Sequence, residues 1–196
     1  MKKILLLLAL FVSVNVYAGI DYGLETGMTK IGIYGGASMP VTDWEDGSTD
    51  YKPGDTGYMF GAEIIRNFNP VFAMGVDVGY MNHGGKEVGS TGTEVKSNVL
   101  SAHVMGRINF FAEQATRIYI PFGAGLSRFE AEAVPGGSED ESGFSFVGGV
   151  GVEFDLSPVW TMGMEGRYFY MPIDDDKFGN DSFDSFNIML KLGARF

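Results

Sequence analysis

The sequence contains no cysteine, and this absence removes two structural options. No disulfide framework holds the fold together, and no lipid is attached to a cysteine at a mature N-terminus, as it is in a lipoprotein. Basic residues are also scarce, because 14 Lys and Arg stand against 25 Asp and Glu. A nucleic-acid partner requires a basic patch, so a chain of this charge is not expected to bind nucleic acid.

Long apolar runs are missing as well, except at the N-terminus. Elsewhere no stretch of about 18 apolar residues occurs, which excludes a helical membrane protein. The apolar run Ile4–Val14 follows two lysines and precedes the small residues Val16 and Ala18. This order is typical of a signal peptide rather than of a retained anchor helix. We therefore predict that residues 1–18 are cleaved and that residues 19–196 form one exported domain.

Glycine and aromatic residues are plentiful, with 29 Gly, 16 Phe and 9 Tyr. Apolar residues fall at alternate positions in eight segments, as in the last one, where Phe186 and Ile188 alternate with Asn187 and Met189. A period of two places the two sets on opposite faces of a β-strand. The eight predicted strands are Ile31–Met39, Tyr58–Ile64, Phe72–Met81, Leu100–Phe110, Ile118–Ser127, Phe144–Phe154, Trp160–Tyr170 and Phe186–Phe196.

The connections between the predicted strands alternate in length. Outer-membrane barrels have an even number of strands, short periplasmic turns and longer external loops, whereas a soluble β-sandwich has no reason for such alternation. We therefore predict an all-β fold, a closed antiparallel up-and-down transmembrane β-barrel of eight strands. The long connections are Pro40–Thr56, His83–Ser97, Ala131–Ser142 and Pro172–Asp184, and the short ones are Asn67–Pro70, Phe111–Arg117 and Asp155–Pro158.

The energetics of charge in hydrocarbon decide which face of each strand meets lipid. A Lys or Arg at the bilayer midplane of such a barrel costs about 2–4 kcal/mol, so the charged faces must point inward. An eight-stranded barrel is just wide enough for side chains to fill it, which argues against a wide pore. The predicted network of paired charges in the lumen consists of Glu63, Asp77, Arg107, Glu153, Glu165, Arg167, Lys191 and Arg195.

Aromatic residues gather near the ends of the predicted strands. Such residues form girdles at the two interfaces of a membrane barrel, so we predict two rims. One rim consists of Phe68, Phe72, Phe110, Phe111, Phe154 and Trp160, and the other of Tyr80, Phe129, Phe144, Tyr170 and Phe186.

Two segments resemble those of a known family. The C-terminal residues Leu192-Gly193-Ala194-Arg195-Phe196, which end in Phe after alternating apolar positions, resemble the signal that outer-membrane barrels present to the assembly machinery. Ile120–Leu126 is similar to a stretch common in small OmpA/OmpX-like barrels. The resemblance covers essentially the whole mature chain. It implies a place in the bacterial outer membrane, contact with lipopolysaccharide and other outer-membrane lipids, and insertion by the barrel-assembly machinery.

The resemblance specifies insertion and fold rather than activity. OmpA itself carries a peptidoglycan-binding domain after its barrel, and no such domain follows Phe196 in this sequence, so peptidoglycan binding is not expected.

Some barrels of this size resemble lipid A deacylases or acyltransferases, which use Ser and His. In this sequence the candidate residues for such chemistry are Ser101 and His103. Chemistry on a lipid chain needs its nucleophile at the lipid-facing surface, with a base in hydrogen-bond reach. Ser101 and His103 share the face of Arg107, which points inward. We therefore interpret them as lumen-filling polar residues that satisfy each other, and we predict no catalytic residue. His83, in a glycine-rich loop, is expected to be solvated.

Acidic residues crowd the predicted loops and suggest a metal site. The run Asp174–Asp181 superficially resembles a calcium loop, but an EF-hand needs an oxygen ligand at the position of Phe178 and a Glu at that of Phe186. Solvated loops are therefore favoured over weak divalent binding by Asp174–Asp176 or bridging to lipopolysaccharide phosphates, and no metal or cofactor site is predicted. The other acidic loop residues are Asp43, Glu45, Asp46, Asp50, Asp55, Glu139, Asp140 and Glu141.

Three functions remain open at this stage, because a fold does not fix a function. The leading hypothesis is a non-enzymatic surface barrel that supports envelope integrity, or adhesion to host or other surface ligands, through its acidic loops. The alternative is a narrow channel for ions or small solutes, gated by the charges in the lumen. The third is a lipid A-modifying enzyme.

Overall fold

The computed structural model describes residues 23–41, 44–46, 49–51, 55–88, 93–134, 138–173 and 181–196. The predicted signal peptide lies outside these ranges. Within them, no helix has the length and hydropathy needed to cross a membrane.

The described chain folds into strands joined by turns. β1 is Thr29–Pro40, β2 Trp44–Asp46, β3 Thr49–Tyr51, β4 Asp55–Asn67, β5 Phe72–Val88, β6 Thr93–Phe110, β7 Thr116–Val134, β8 Ser138–Asp155, β9 Trp160–Pro172 and β10 Ser182–Arg195. β2 and β3 pair only with each other, as a small hairpin between β1 and β4. The other eight strands close into one antiparallel barrel in sequence order. The predicted fold class is confirmed.

Closure of the barrel joins its first and last strands. β1 and β10 pair antiparallel from Lys30 opposite Arg195 to Pro40 opposite Ser185. Thr29 and Phe196 each donate a backbone hydrogen bond to the carbonyl of the other, at 2.9 and 3.0 Å. A closed sheet leaves no edge strand in the barrel wall, which satisfies the backbone hydrogen bonds that hydrocarbon would otherwise leave unmade.

Burial alternates along each strand, with the apolar side chains outside. In β10, Ile188 and Leu190 are 46% and 66% exposed, whereas Asn187 and Met189 are each 1% exposed. A water-soluble sheet buries the apolar set instead. This inverted pattern is that of a sheet whose outer surface contacts lipid.

Three of the predicted long connections are wrong in extent, because strands continue into them. β5 and β6 extend to Val88 and from Thr93, which takes up most of the predicted loop His83–Ser97. β7 and β8 likewise extend to Val134 and from Ser138. The predicted loop Pro40–Thr56 contains β2 and β3. In these extensions the outward-facing residues are polar, as Arg128, Glu130 and Glu132 are in β7, so the apolar outer face that marked the predicted strands is lost while the backbone pairing continues.

The short connections all lie at one end of the barrel and are tight turns. Asn69 Oδ1 accepts hydrogen bonds from the backbone amides of Val71 and Phe72, at 2.9 and 2.8 Å. Ser157 Oγ accepts from the amides of Val159 and Trp160 in the same way. These side chains replace the backbone partners that a longer loop would supply. We call this end the short-turn end.

Candidate functional site

The structure places all eight predicted lumen charges inside the barrel, where none is more than 6% exposed. Three further buried charges were not predicted: Lys30, Arg117 and Asp155. The sequence signal for them was strand parity, because each lies an even number of residues from an inward-facing residue of its own strand. They were missed because the predicted strands began or ended one residue short of each.

The charges make a linear series of ion pairs of alternating sign, which we call the ion-pair chain. Near mid-barrel, Arg167 contacts Asp77 at 3.2 Å and Glu165 at 2.6 Å. Lys191 then joins Glu165 at 2.9 Å to Glu63 at 2.6 Å. Arg167, Glu165 and Lys191 thus each have a counter-ion on either side, which a buried ion requires if its desolvation is to be offset.

The ion-pair chain continues toward the short-turn end through Lys30, which contacts Glu63 at 3.1 Å and Glu153 at 2.5 Å. Glu153 is a hub, because Arg117 and Arg107 also contact it, at 3.2 and 3.0 Å. Arg107 is therefore a branch of the chain rather than a link in it.

Asp155 and Arg195 form the end of the ion-pair chain. The Asp155 carboxylate pairs with Arg117 and, at 2.9 Å, with Arg195. Arg195 also donates to the Ser157 carbonyl at 3.3 Å, in a short turn. The chain of charges thus runs from the middle of the lumen to one mouth of the barrel.

Two tyrosines cross the lumen beside the ion-pair chain, and glycines make room for them. Tyr34 donates to Asp77 at 3.1 Å, and Tyr119 donates to Glu165 at 2.9 Å. A Cβ at Gly61 would lie 2.3 Å from the Tyr34 hydroxyl, and one at Gly151 would lie 2.3 Å from the Tyr119 ring. Inward-facing glycine is therefore a packing requirement at both positions.

The other half of the lumen contains a cluster of apolar side chains beside buried Ser, Asn and His residues, and the sequence pattern did not predict this cluster. Inward-facing side chains there form one buried cluster, in which the Phe129 and Phe183 ring centroids are 4.9 Å apart. We call this cluster the apolar layer. Its members beyond those two are Met59, Met81, Val99, Met105, Val147, Phe169, Met171, Ile173 and Met189, with Tyr34 at its border.

Cavities inside the described barrel are small. Two adjoin the ion-pair chain, and each has a volume of about 10 Å³, which is room for one water-sized particle. Neither of these two cavities is large enough to hold a hydrated solute.

His83 is buried, so the prediction that it is solvated in a loop is wrong. It is 0% exposed, its Nε2 lies 2.7 Å from Ser38 Oγ and its Nδ1 lies 3.2 Å from Ser97 Oγ. β5 continues past Tyr80, so the inward parity of the strand carries His83 into the lumen.

Ser101 and His103 face inward and are buried, as predicted, but they do not satisfy each other. Ser101 donates to the Gly79 carbonyl at 3.3 Å. His103 Nε2 lies 2.9 Å from Ser145 Oγ, which lies 2.7 Å from Ser127 Oγ. Ser101 thus bonds to the adjacent strand β5, whereas His103 reaches Ser145 on β8.

Ser145, His103 and Asp77 follow the order of a hydrolase triad. His103 Nδ1 is 3.8 Å from Asp77 Oδ1, too long for a hydrogen bond. Ser145 is 0% exposed inside the lumen and therefore does not face a lipid substrate. The arrangement fits polar packing rather than acyl transfer.

The outer surface carries a belt of exposed apolar side chains, among them Ile33, Val104, Leu126 and Leu190, which are 58–66% exposed. Most of the predicted rim aromatics flank it, with Phe111 60% exposed at the short-turn end. The prediction that Phe129 belongs to a rim is wrong, because its side chain is 0% exposed and lies in the apolar layer. Its odd position in β7 gives it the opposite parity to the lipid-facing Leu126.

Some of the acidic residues of the long connections, among them Asp43 and Asp174–Asp176, lie outside the described residues. Among those described, no group of three or more His, Asp or Glu side chains is placed to hold a metal ion. On β7 and β8, Asp140 pairs with Arg128 at 3.2 Å, and both are more than half exposed.

A family model described as "Outer membrane protein beta-barrel domain" matches residues 4–196. The chain belongs to this family. It is therefore a protein of the bacterial outer membrane, as the OmpA/OmpX-like resemblance implied. In such barrels the short turns face the periplasm, so the ion-pair chain lies in the periplasmic half and the apolar layer in the outer half.

Solved structures agree with this assignment. The chain is similar to Ail of Yersinia pestis in complex with the heparin analogue sucrose octasulfate, at 23% identity and a TM-score of 0.56, over 87% of this chain and 99% of that one. It is similar to neisserial surface protein A at 13% identity and a TM-score of 0.59, over 87% of this chain and 98% of that one. It is similar to OprG of Pseudomonas aeruginosa at 13% identity and a TM-score of 0.58, over 90% of this chain and 99% of that one. At these identities the likeness shows the fold alone. No curated protein sequence matches the chain.

The C-terminal residues lie at the periplasmic end of β10. Leu192 and Phe196 are 43% and 73% exposed on the lipid side, whereas Arg195 points inward. Gly193 also faces inward, where a Cβ would lie 2.9 Å from the Lys30 side chain. Their role as an assembly signal stays a prediction.

Proposed function

We propose that this protein is a non-enzymatic, non-conducting surface barrel that supports the envelope and contacts cationic ligands outside the cell. The observation that carries the proposal is the filling of the lumen, with an apolar layer above an ion-pair chain. A barrel filled in this way offers no path and no reaction chamber. Its chemistry is therefore exposed only on the lipid belt and on the hairpins that project from the outer mouth.

The β7–β8 hairpin supports the choice of ligand charge. Beyond the lipid-facing Leu126, β7 continues to Val134, which at about 3.3 Å per residue projects well beyond the belt. Glu130 of β7 is directly opposite Asp140 of β8. Like charges in opposing positions destabilise a sheet, and Arg128 offsets only part of this by pairing with Asp140. A bound cation or cationic segment would relieve the repulsion between Glu130 and Asp140 that Arg128 does not offset.

The heparin analogue found with Ail is a polyanion and is not carried over to this chain. The exposed outer face of the hairpin is acidic, so it would repel a sulfated ligand. The other proposed partners follow from the membrane: outer-membrane lipid and lipopolysaccharide around the belt, and the barrel-assembly machinery during insertion through Leu192, Gly193, Arg195 and Phe196.

Binding to cells that display the protein tests the ligand class. Fluorescent polylysine should bind wild-type cells above background, and binding should fall severalfold in a Glu130→Gln, Glu132→Gln, Asp140→Asn variant. Arg128→Gln is the matched control on the same face and should bind at least as well as wild type. Preference for labelled heparin over polylysine would contradict the proposal.

The enzyme alternative has a separate test. Lipid A from cells that express the wild type, Ser145→Ala or His103→Ala should have the same acyl chains by mass spectrometry, because both side chains are enclosed in the lumen. A change of acylation that depends on either residue would replace the proposed function.

A further inference from the structure

The buried charges of the barrel do not sum to zero. Among the described residues, six buried cations face five buried anions. The cations are Lys30, Arg107, Arg117, Arg167, Lys191 and Arg195, and the anions are Glu63, Asp77, Glu153, Asp155 and Glu165. The interior therefore carries one uncompensated positive charge.

The ion-pair chain locates this excess at Arg107. The chain itself contains five cations and five anions in alternation and is neutral. Arg107 is the branch, and its carboxylate partner Glu153 already serves Lys30 and Arg117. An arginine keeps its proton in proteins, so loss of a proton from Arg107 does not remove the charge.

The other contacts of Arg107 are neutral. Its Nε donates to Asn109 Oδ1 at 2.6 Å, and its guanidinium carbon lies 3.6 Å from the centroid of the Tyr119 ring. An aromatic face attracts a cation but carries no net charge. Nη2 of Arg107 is buried and makes no hydrogen bond to another described residue. The group thus has one strong donor left over.

The Arg107 side chain lines a small cavity. Its volume is about 10 Å³, and Lys30, Arg107 and Arg195 line it, with Glu153 as the one acidic neighbour. Nε and Nη1 of Arg195 are likewise buried without a hydrogen-bond partner among the described residues. Unused guanidinium donors from β6 and β10 therefore belong to side chains that line one space.

We infer that this cavity is a binding site for a single monatomic anion, with chloride as the chemical type. One such ion supplies the missing negative charge and accepts the unused donors of Arg107 and Arg195. A monatomic anion of single charge matches both the one-charge excess and the small volume of the cavity. This inference is independent of the ligand class proposed for the outer hairpins.

The N-terminal segment contributes apolar side chains to the cavity. Leu24 and Met28 line it. Leu24 is 7% exposed, and its amide donates to the Ala112 carbonyl at 2.9 Å in the turn between β6 and β7. An ion in the cavity would therefore lie beside a buried apolar side chain whose backbone is hydrogen-bonded to the barrel.

Thermal unfolding of the full mature protein in detergent tests the site. At constant ionic strength, sodium chloride or bromide should raise the unfolding midpoint saturably over sodium gluconate, by about 5–10 °C at a hundredfold excess over Kd. Arg107→Gln neutralises the excess charge and should abolish the halide dependence. Arg128→Gln removes an exposed cation and should retain it. Equal midpoints in chloride and gluconate for the wild type would overturn the inference.

A direct measurement covers the case in which Arg107→Gln does not fold. Wild-type crystals grown with bromide as the sole halide should show an anomalous peak between the Arg107 and Arg195 guanidinium groups. A water without anomalous signal at that position, or bromide only on the protein surface, would overturn the inference.

Discussion

Lys191 of β10 donates to Glu63 of β4 across the lumen at 2.6 Å, although 128 positions separate the two residues in the sequence. β1 lies between these strands in the sheet, so the contact passes through the interior. The same ammonium group reaches Glu165 of β9 at 2.9 Å. One lysine thus connects three strands from the inside, and its carboxylate partners are informative positions for substitution.

Replacement of Glu165 by Ala should destabilise the barrel. The change removes one counter-ion from Lys191 and one from Arg167 and leaves the Tyr119 hydroxyl without its acceptor, and breaking a buried pair in this way costs about 3–5 kcal/mol. The loss is measured as the temperature at which the folded band disappears in heat-modifiable gel migration. Glu139→Ala, at an exposed position, is the control. A midpoint equal to that of the wild type would show that the buried charges are well hydrated.

Wild-type protein in planar bilayers should show no discrete channel openings. The rings, thioethers and aliphatic side chains of the apolar layer cannot replace the hydration shell of an ion, and such constrictions exclude water. Phe129→Ala with Phe183→Ala, which empties the centre of the layer, should increase leak, whereas Phe144→Ala on the outer surface should not. Regular openings of the wild type would favour the channel hypothesis.

Two glycines of β8, Gly148 and Gly151, should differ in their tolerance of an added methyl group. Gly151→Ala places a methyl group 2.3 Å from the Tyr119 ring and should destabilise the barrel by about 1–3 kcal/mol. Gly148→Ala meets no heavy atom within 4 Å and should be neutral. Thermal unfolding in detergent measures both. Equal tolerance would mean that Tyr119 does not cross the lumen beside Gly151.

Deletion of Phe196 should reduce the amount of barrel inserted in the outer membrane. The residue completes the pairing of β1 with the end of the chain and presents its ring to the lipid side, where the predicted assembly signal would be read. Phe196→Trp keeps both features and should insert normally. Fractionation followed by heat-modifiable migration gives the yield, and wild-type insertion of the deleted chain would remove the signal from consideration.

Strand parity made most of the fold predictable from the sequence. Each inward or outward assignment needs only one charged residue per strand, because the period of two fixes the rest. Parity also places Lys30 and His83 correctly once the strands are extended, but the sequence does not mark the ends of the strands where the outward face becomes polar. The failures at His83 and Phe129 are both of this kind.

The partners of the lumen charges were not predictable. Which carboxylate Lys191 meets depends on the stagger of strands around the barrel, and the sequence does not encode that as a local pattern. The apolar layer was missed for a related reason. Met189 and Lys191 share an inward face and differ only in height along β10, so one sits among thioethers and rings and the other among carboxylates.

The cations of β10 make completion of the sheet and completion of the ion-pair chain a single event. Lys191 and Arg195 contact acids on three earlier strands, so before β10 arrives Glu63, Glu165 and Asp155 each lack one of the cations that they contact in the closed barrel. Only the arrival of the final strand supplies these last contacts, which discourages premature closure around a smaller number of strands.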